Sequence, residues 1–240
     1  MQPWKRNTSV RALVALVAAV VGPGLMTVGV AGVAGASESA STKAAVAQAT
    51  KELIVLKDLP KGWTSSKSSN NNSTIPGATE LATCLGVPTS VINDNPPTAN
   101  SPEFDSANQL MTVTDSIAVS PSLKSAKADY NSLANKKTPG CLSTVLNGVT
   151  KASLASEFGS GASIGTIDVT RSPNAEFAGH GANFTAFLPV TVQEQTLKVQ
   201  LTIIDYLKGT ENETVTLTSI ESPFPTTLAK HLTTLAVDRF

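Results

Sequence analysis

The sequence predicts an α+β domain: an antiparallel sheet of about five strands with helices gathered on it, an α/β sandwich closed by one disulfide. Three observations carry this. Five segments alternate apolar and polar residues with a period of two, four of them in the last third of the chain. The connections between the last three strands are too short for anything but hairpins. No strand–helix–strand repeat occurs, so a parallel sheet is excluded and helices packed on an antiparallel sheet remain.

The elements follow in order. Residues 1–36 have the three parts of a secretory signal: Lys5, Arg6 and Arg11, an apolar stretch from Ala12, and Ala34-Gly35-Ala36. That last small-x-small pattern places cleavage between Ala36 and Ser37. Ala12 to Ala36 is also long enough to be a retained anchor, but its second half is Gly- and Ala-rich and weakly apolar. No Cys follows the stretch, which argues against lipid attachment there. Residues 37–52 are polar and alanine-rich, compatible with a short helix or a disordered lead-in. A single domain is read from 53 to 240, a length that supports a sizeable core.

Within that domain "TSSKSSNNNST" reads as a solvated loop and "VPTSVINDNPPTANSPEF" as a long proline-bearing connection. "PGATELATCLG" reads as a short helix with Pro76 near its start and Gly86 past its end. Ser120 and Pro121 are placed to start a second helix, with Leu123, Ala126, Tyr130 and Leu133 on one face. Thr138 and Pro139 repeat that arrangement ahead of Leu142, Val145, Leu146 and Val149. A last helix is expected in "PFPTTLAKHLTTLAVDRF", on the spacing of Phe224, Leu228, Leu232 and Leu235.

The strands are "LMTVTDSIAV", "GTIDVTR", "NFTAFLPVTV", "TLKVQLTIIDY" and the segment in which Thr214, Thr216 and Thr218 alternate with Val215 and Leu217. Leu197, Val199, Leu201 and Ile203 face one way, as do Phe184, Ala186, Leu188, Val190 and Val192, with Pro189 suggesting an edge or a bulge. The opposite face carries Thr185, Thr191, Lys198, Gln200 and Thr202, with Phe187, Ile204 and Tyr206 among them. Two readings apply: ordinary solvated sheet surface, or a shallow binding face partly covered by a helix.

Composition narrows the function classes. Taking Lys5, Arg6 and Arg11 from 18 basic residues leaves 15 against 18 acidic ones, a net charge of about −3 after cleavage. The charges are scattered without a basic stripe, which argues against a nucleic-acid partner. Cys84 and Cys141 are the only cysteines. In an oxidising compartment such a pair is bridged rather than metal-binding, and the only histidines are His180 and His231. The matches to N-x-[ST] at Asn71, Asn72, Asn183 and Asn212 are what a Ser/Thr/Asn-rich chain produces by chance. Trp63 reads as a core or rim anchor.

"GASIG" at 161–165 fits the G-x-S-x-G elbow of serine hydrolases, and Ser163, Asp205 and His231 follow in the chain order of α/β hydrolases. The elbow needs a strand before the serine and a helix after it. Here a helical segment precedes Ser163 and a strand follows, so the string reads as a loop into a strand. Glu80, Asp115 and Glu157 have no motif spacing, and no metal or cofactor is implied.

"DLPKGW" (58–63), "CLGVP" (84–88), "SPEFDS" (101–106) and the helix leading to "CL" (141–142) resemble a set of exported actinobacterial proteins. These are similar to the extracytoplasmic sensor domains of PknH-type kinases and to LpqN-type envelope lipoproteins. The resemblance implies a Mog1/PsbP-like sandwich that binds or senses at the cell envelope without catalysis. The chain departs from both groups in having no kinase, no lipid-attachment Cys and one Cys pair. The expectation is therefore a secreted, non-enzymatic binding or sensor-like domain. Its partner would be an envelope component, a small apolar molecule or another exported protein. The alternatives are a serine hydrolase using Ser163 with His231 or His180, and a structural envelope protein.

Overall fold

The computed structural model describes residues 40–67, 77–92, 96–158, 162–172, 177, 181–192 and 195–240. Helix α1 (Ala40–Glu52) and a 3-10 turn (Leu56–Asp58) precede strand β1 (Thr64–Ser66). Then come α2 (Ala78–Leu85), α3 (Thr89–Ile92), β2 (Thr98–Asn100), β3 (Glu103–Asp105) and β4 (Met111–Val119). Helices α4 (Leu123–Ala134) and α5 (Thr138–Phe158) lead to β5 (Ala162–Ile164) and β6 (Asp168–Arg171). The chain ends in β7 (Ala182–Val192), β8 (Gln195–Lys208), β9 (Glu211–Ile220) and α6 (Thr226–Arg239).

All the strands join one antiparallel sheet, ordered β1-β3-β4-β9-β8-β7-β5, with β2 also on β4 and β6 also on β7. The long strands β4, β9, β8 and β7 form its centre. Each flank is extended by two short strands lying end to end, β2 and β3 along β4, β5 and β6 along β7. Nine strands among the described residues therefore stand where about five are expected, because β1, β2, β3 and β5 have three residues each, too few to show alternation. Two of the extra strands lie within the segment read as a proline-bearing connection, and β1 within the one read as a solvated loop.

Residues directly opposite in an antiparallel ladder share a face. On the first face Phe184, Ala186, Leu188, Val190, Val199, Leu201 and Ile203 form one core with α2, α3 and α5 and with Leu133 of α4. On the second, Val113, Ile117, Ile204, Tyr206, Val215 and Leu217 form another with Ala49 and with Leu232 and Ala236 of α6. Trp63 packs at the margin of that second core, as a rim anchor. Helices thus flank both faces.

Local chemistry fixes the helix ends. Ser122, not Ser120, caps α4: it is extended, and its Oγ accepts from the Ser125 amide at 3.1 Å. Ser120 is buried with its hydroxyl directed at Asp129. Thr138 likewise does not cap α5; its hydroxyl donates to Ser132 O at 2.8 Å and ties the two helices together. Gly86 ends α2 in the left-handed region, with its amide on Thr83 O and that of Val87 on Ala82 O. Arg171, stacked over Phe184, donates to Ala134 O and Asn135 O at 2.7 Å each and caps the C-terminus of α4 from the sheet. Asn147 of α5 pairs its carboxamide with both backbone groups of Ile167, pinning the link between β5 and β6. The disulfide joins Cys84 of α2 to Cys141 of α5 with the Cα atoms 5.6 Å apart.

Candidate functional site

The hydrolase constellation is not assembled. Ser163 lies in β5 opposite Thr191, whereas Asp205 lies in β8 opposite Ala182. Thr191 and Ala182 belong to the same strand, nine positions apart, which is roughly 30 Å. The two side chains also leave opposite faces, since Ser163 is in step with Thr191 and Asp205 with Ala182. His231 is exposed on α6, a helix packed over the β9 side of the sheet, away from the edge that holds Ser163. His180 lies outside the described residues. The Glu80–Asp115 grouping fails for the same kind of reason: α2 packs on the first face and Asp115 points into the second. Glu157 is among the side chains outside the description. Asn183 and Asn212 are buried in strands and are not open glycosylation positions; Asn71 and Asn72 lie outside the described residues.

Two features that the fold does assemble stand out. The first is the uncovered part of the second sheet face. Helices α1 and α6 bury Ile204 and Tyr206 at one end of β8, but Lys198 at the other end is exposed. Between them Phe187 is 48% exposed, the most exposed large apolar side chain in the described residues. In direct register it has Asp168 of β6 on one side and Gln200 of β8 on the other. Hydroxyls and an amide link the strands beside it: Ser172 to Thr185 at 2.5 Å, Thr185 to Thr202 at 3.3 Å, and Gln200 Nε2 to Thr202 at 3.4 Å. The result is a surface that presents one aromatic face, one carboxylate and several groups able to donate or accept. Among the described residues beside it, no nucleophile stands aligned with a general base.

The second feature is a set of buried carboxylates. Asp115 and Glu213 lie diagonally on the second face, 2% and 0% exposed. Asp115 Oδ2 accepts from the Ile54 amide at 2.8 Å. Burial drives both carboxyls well above the usual carboxylate range, and Asp115's charge raises Glu213 further. The pair therefore shares a proton at neutral pH. On the first face Asp205 is fully buried, accepts from Thr214 Oγ1 at 2.8 Å, and is pushed to about 8 by burial, helped by the nearby charge of Asp129. None of these groups meets solvent, so none is placed for work on an outside substrate. The sequence does carry a signal for the pair. Asp115 is in step with Val113 and Ile117, and Glu213 with Val215 and Leu217, so each acid interrupts an apolar stripe.

No group of His, Cys, Asp or Glu among the described residues is arranged to hold a metal ion. No helix among them is long and apolar enough to cross a membrane. No family model matches the sequence, and neither does any curated protein. Among solved structures, the extracellular domain of PknH from Mycobacterium tuberculosis is similar at a TM-score of 0.40 and 10% identity, over 80% of this chain and 94% of that one.

Proposed function

We propose that this chain is an exported, non-enzymatic binding domain of the bacterial cell envelope, and that it binds through the uncovered sheet face around Phe187. In this reading residues 1–36 are a leader removed between Ala36 and Ser37, and the mature chain works outside the cytoplasm. The Cys84–Cys141 disulfide supports that location, because such bonds persist in oxidising compartments. The observation that carries the binding role is Phe187 itself. A half-exposed aromatic at the centre of a sheet, in register with Asp168 and Gln200, keeps apolar area in water without any contribution to the core. The partner is an envelope component, a small apolar molecule or an exported protein.

The test uses the chain recovered from the medium of the cells that secrete it. Its native mass is compared with its denatured mass, and its co-sedimentation with the cell-wall fraction is measured, for the wild type and for Phe187→Ser. The exposed position makes the variant safe for folding. The expected result is a carried mass or wall retention that Phe187→Ser loses. A wild type that shows neither, or a variant that keeps both, overturns the proposal.

A further inference from the structure

We propose that α1 and the turn after it form a pH-released strap, held on the sheet while Asp115 and Glu213 share a proton and lifted when that proton leaves. Polar contacts attach the strap to the sheet and to α6. Ile54 donates its amide to Asp115, Leu53 O accepts from Arg239 Nη1 at 3.2 Å, and Asp58 is paired with the same arginine. Its apolar contribution is Ala49, Leu53 and Ile54, with Ala45 and Val46 of α1 packed against the same core. Helix α6 packs on the same face through Ala229, Leu232 and Ala236, with Phe240 beyond its end, but it is the strap, through the Ile54 amide, that is hydrogen-bonded to the pair.

The charges around the pair are mostly of its own sign. From α1 comes Glu52, whose charge acts on Glu213 and whose Oε2 is buried and unpartnered; from β9, Glu211 beside Glu213; Asp58 of the turn faces Arg239 instead. From β8 come Tyr206 on this face, Asp205 acting through the sheet, and Lys208, whose charge acts on Glu211. The cation facing the pair is Arg239 of α6, and Asp58 already engages both ends of its guanidinium. With one proton between them, Glu213 donates to Asp115 while Asp115 still accepts from Ile54. With none, two buried carboxylates face each other and Glu52, and neither oxygen of Glu213 has a donor. Lifting the strap admits water to them.

The sign follows from linkage. The lifted state has ordinary carboxyls, so lifting releases a proton at any pH between their usual range and the raised one of the closed state. The lifted population then grows by about tenfold for each pH unit in that window.

Amide hydrogen exchange on the full chain, corrected for the intrinsic pH dependence, reads this directly. From pH 6 to 9 the protection of residues 49–55 should fall by about tenfold per unit relative to amides of β8. Glu213→Gln, which cannot lose the proton, should flatten the profile above about pH 7, leaving below it only what Asp115, the other buried acid, contributes. The double variant Asp115→Asn/Glu213→Gln, which keeps an acceptor for Ile54 and removes both acids, should be flat throughout and is the second variant should the first fail to fold. A flat wild-type profile overturns the proposal, as does loss of protection in step with β8, or a slope above about pH 8 that persists in either variant. Should neither variant fold, the wild-type slope relative to β8 still decides.

Discussion

Asp58 and Arg239, 181 residues apart in the chain, close a two-point ion pair: Nη1 meets Oδ2 at 2.6 Å and Nη2 meets Oδ1 at 2.7 Å. The pair joins the turn after α1 to the last turn of α6. The hydrogen bond from Arg239 is the main influence that holds the Asp58 carboxyl below its usual range. Arg239→Ala should therefore destabilise the domain by about 2 kcal/mol at pH 7, the size of a partly screened charge-assisted pair. Because Asp58 is lowered, this stability is present above the ordinary carboxylate range and is lost as pH falls through the lowered value. Urea unfolding at pH 7 and at pH 3 checks it: the gap between wild type and variant should shrink at the lower pH.

Asp205 has the opposite sign. Its carboxyl, buried and raised to about 8, is protonated in the folded chain at pH values where the unfolded chain has already ionised. A raised group contributes stability that is fully present below the unfolded pKa and is lost as pH rises through the folded one, here between about 4 and 8. Asp205→Asn keeps an acceptor for Thr214 and removes the titration. The variant should gain on the wild type by about 1–3 kcal/mol between pH 5 and pH 8, measured by urea midpoints at both. A constant gap across that range would show that Asp205 does not titrate on unfolding there.

The long strands were readable because the sheet obeys alternation. Leu197, Val199, Leu201 and Ile203 of β8 all enter the first core or pack against it, as their spacing predicts. The threonines of β9 are the instructive exception. Thr214, Thr216 and Thr218 alternate like a solvated face, yet all are buried, because helices cover the sheet on both sides there. Alternation reports chemical contrast between two faces; it does not report which face meets water. In α6 the periodic leucines mark the helix, but Ala229, Thr233 and Ala236 share the buried stripe with Leu232, since small side chains allow close approach to the sheet. Phe187 was legible as a residue out of step with Phe184, Ala186 and Leu188. Its register with Asp168 was not, because pairing across β6 and β7 depends on a connection whose length alone does not set it.

The Cys84–Cys141 bond spans 57 residues and ties α2 to α5 over the first core. In the chain-entropy account, closing a loop of that length stabilises the fold by roughly 4 kcal/mol. Replacing both cysteines by alanine should lower the melting temperature by about 8–16 °C for a domain of this size. Denatured mass before and after reduction reports the bond itself, as a gain of about two hydrogens. An unchanged melting temperature in the double variant would mean that the helices hold their positions without the link.

Gly165 and Pro189 define the point where the partner of β7 changes from β5 to β6. Val190 to Val192 pair with β5 and Phe184 to Phe187 with β6, so Pro189 sits between the two ladders in an interior strand. Its carbonyl still accepts from the Gly165 amide at 2.8 Å. A Cβ on residue 165 would lie 2.7 Å from Pro189 Cγ, closer than the two carbons can approach. The ring has little freedom to move aside, so Gly165→Ala should cost about 1–3 kcal/mol. The clash lies with the ring and not with the backbone, which makes it removable. Pro189→Ala in the Gly165→Ala background should recover most of the loss, giving a coupling energy of about 1 kcal/mol or more in a double-mutant cycle of unfolding free energies. Additive effects would place the requirement for glycine in the chain between β5 and β6, not in its approach to Pro189.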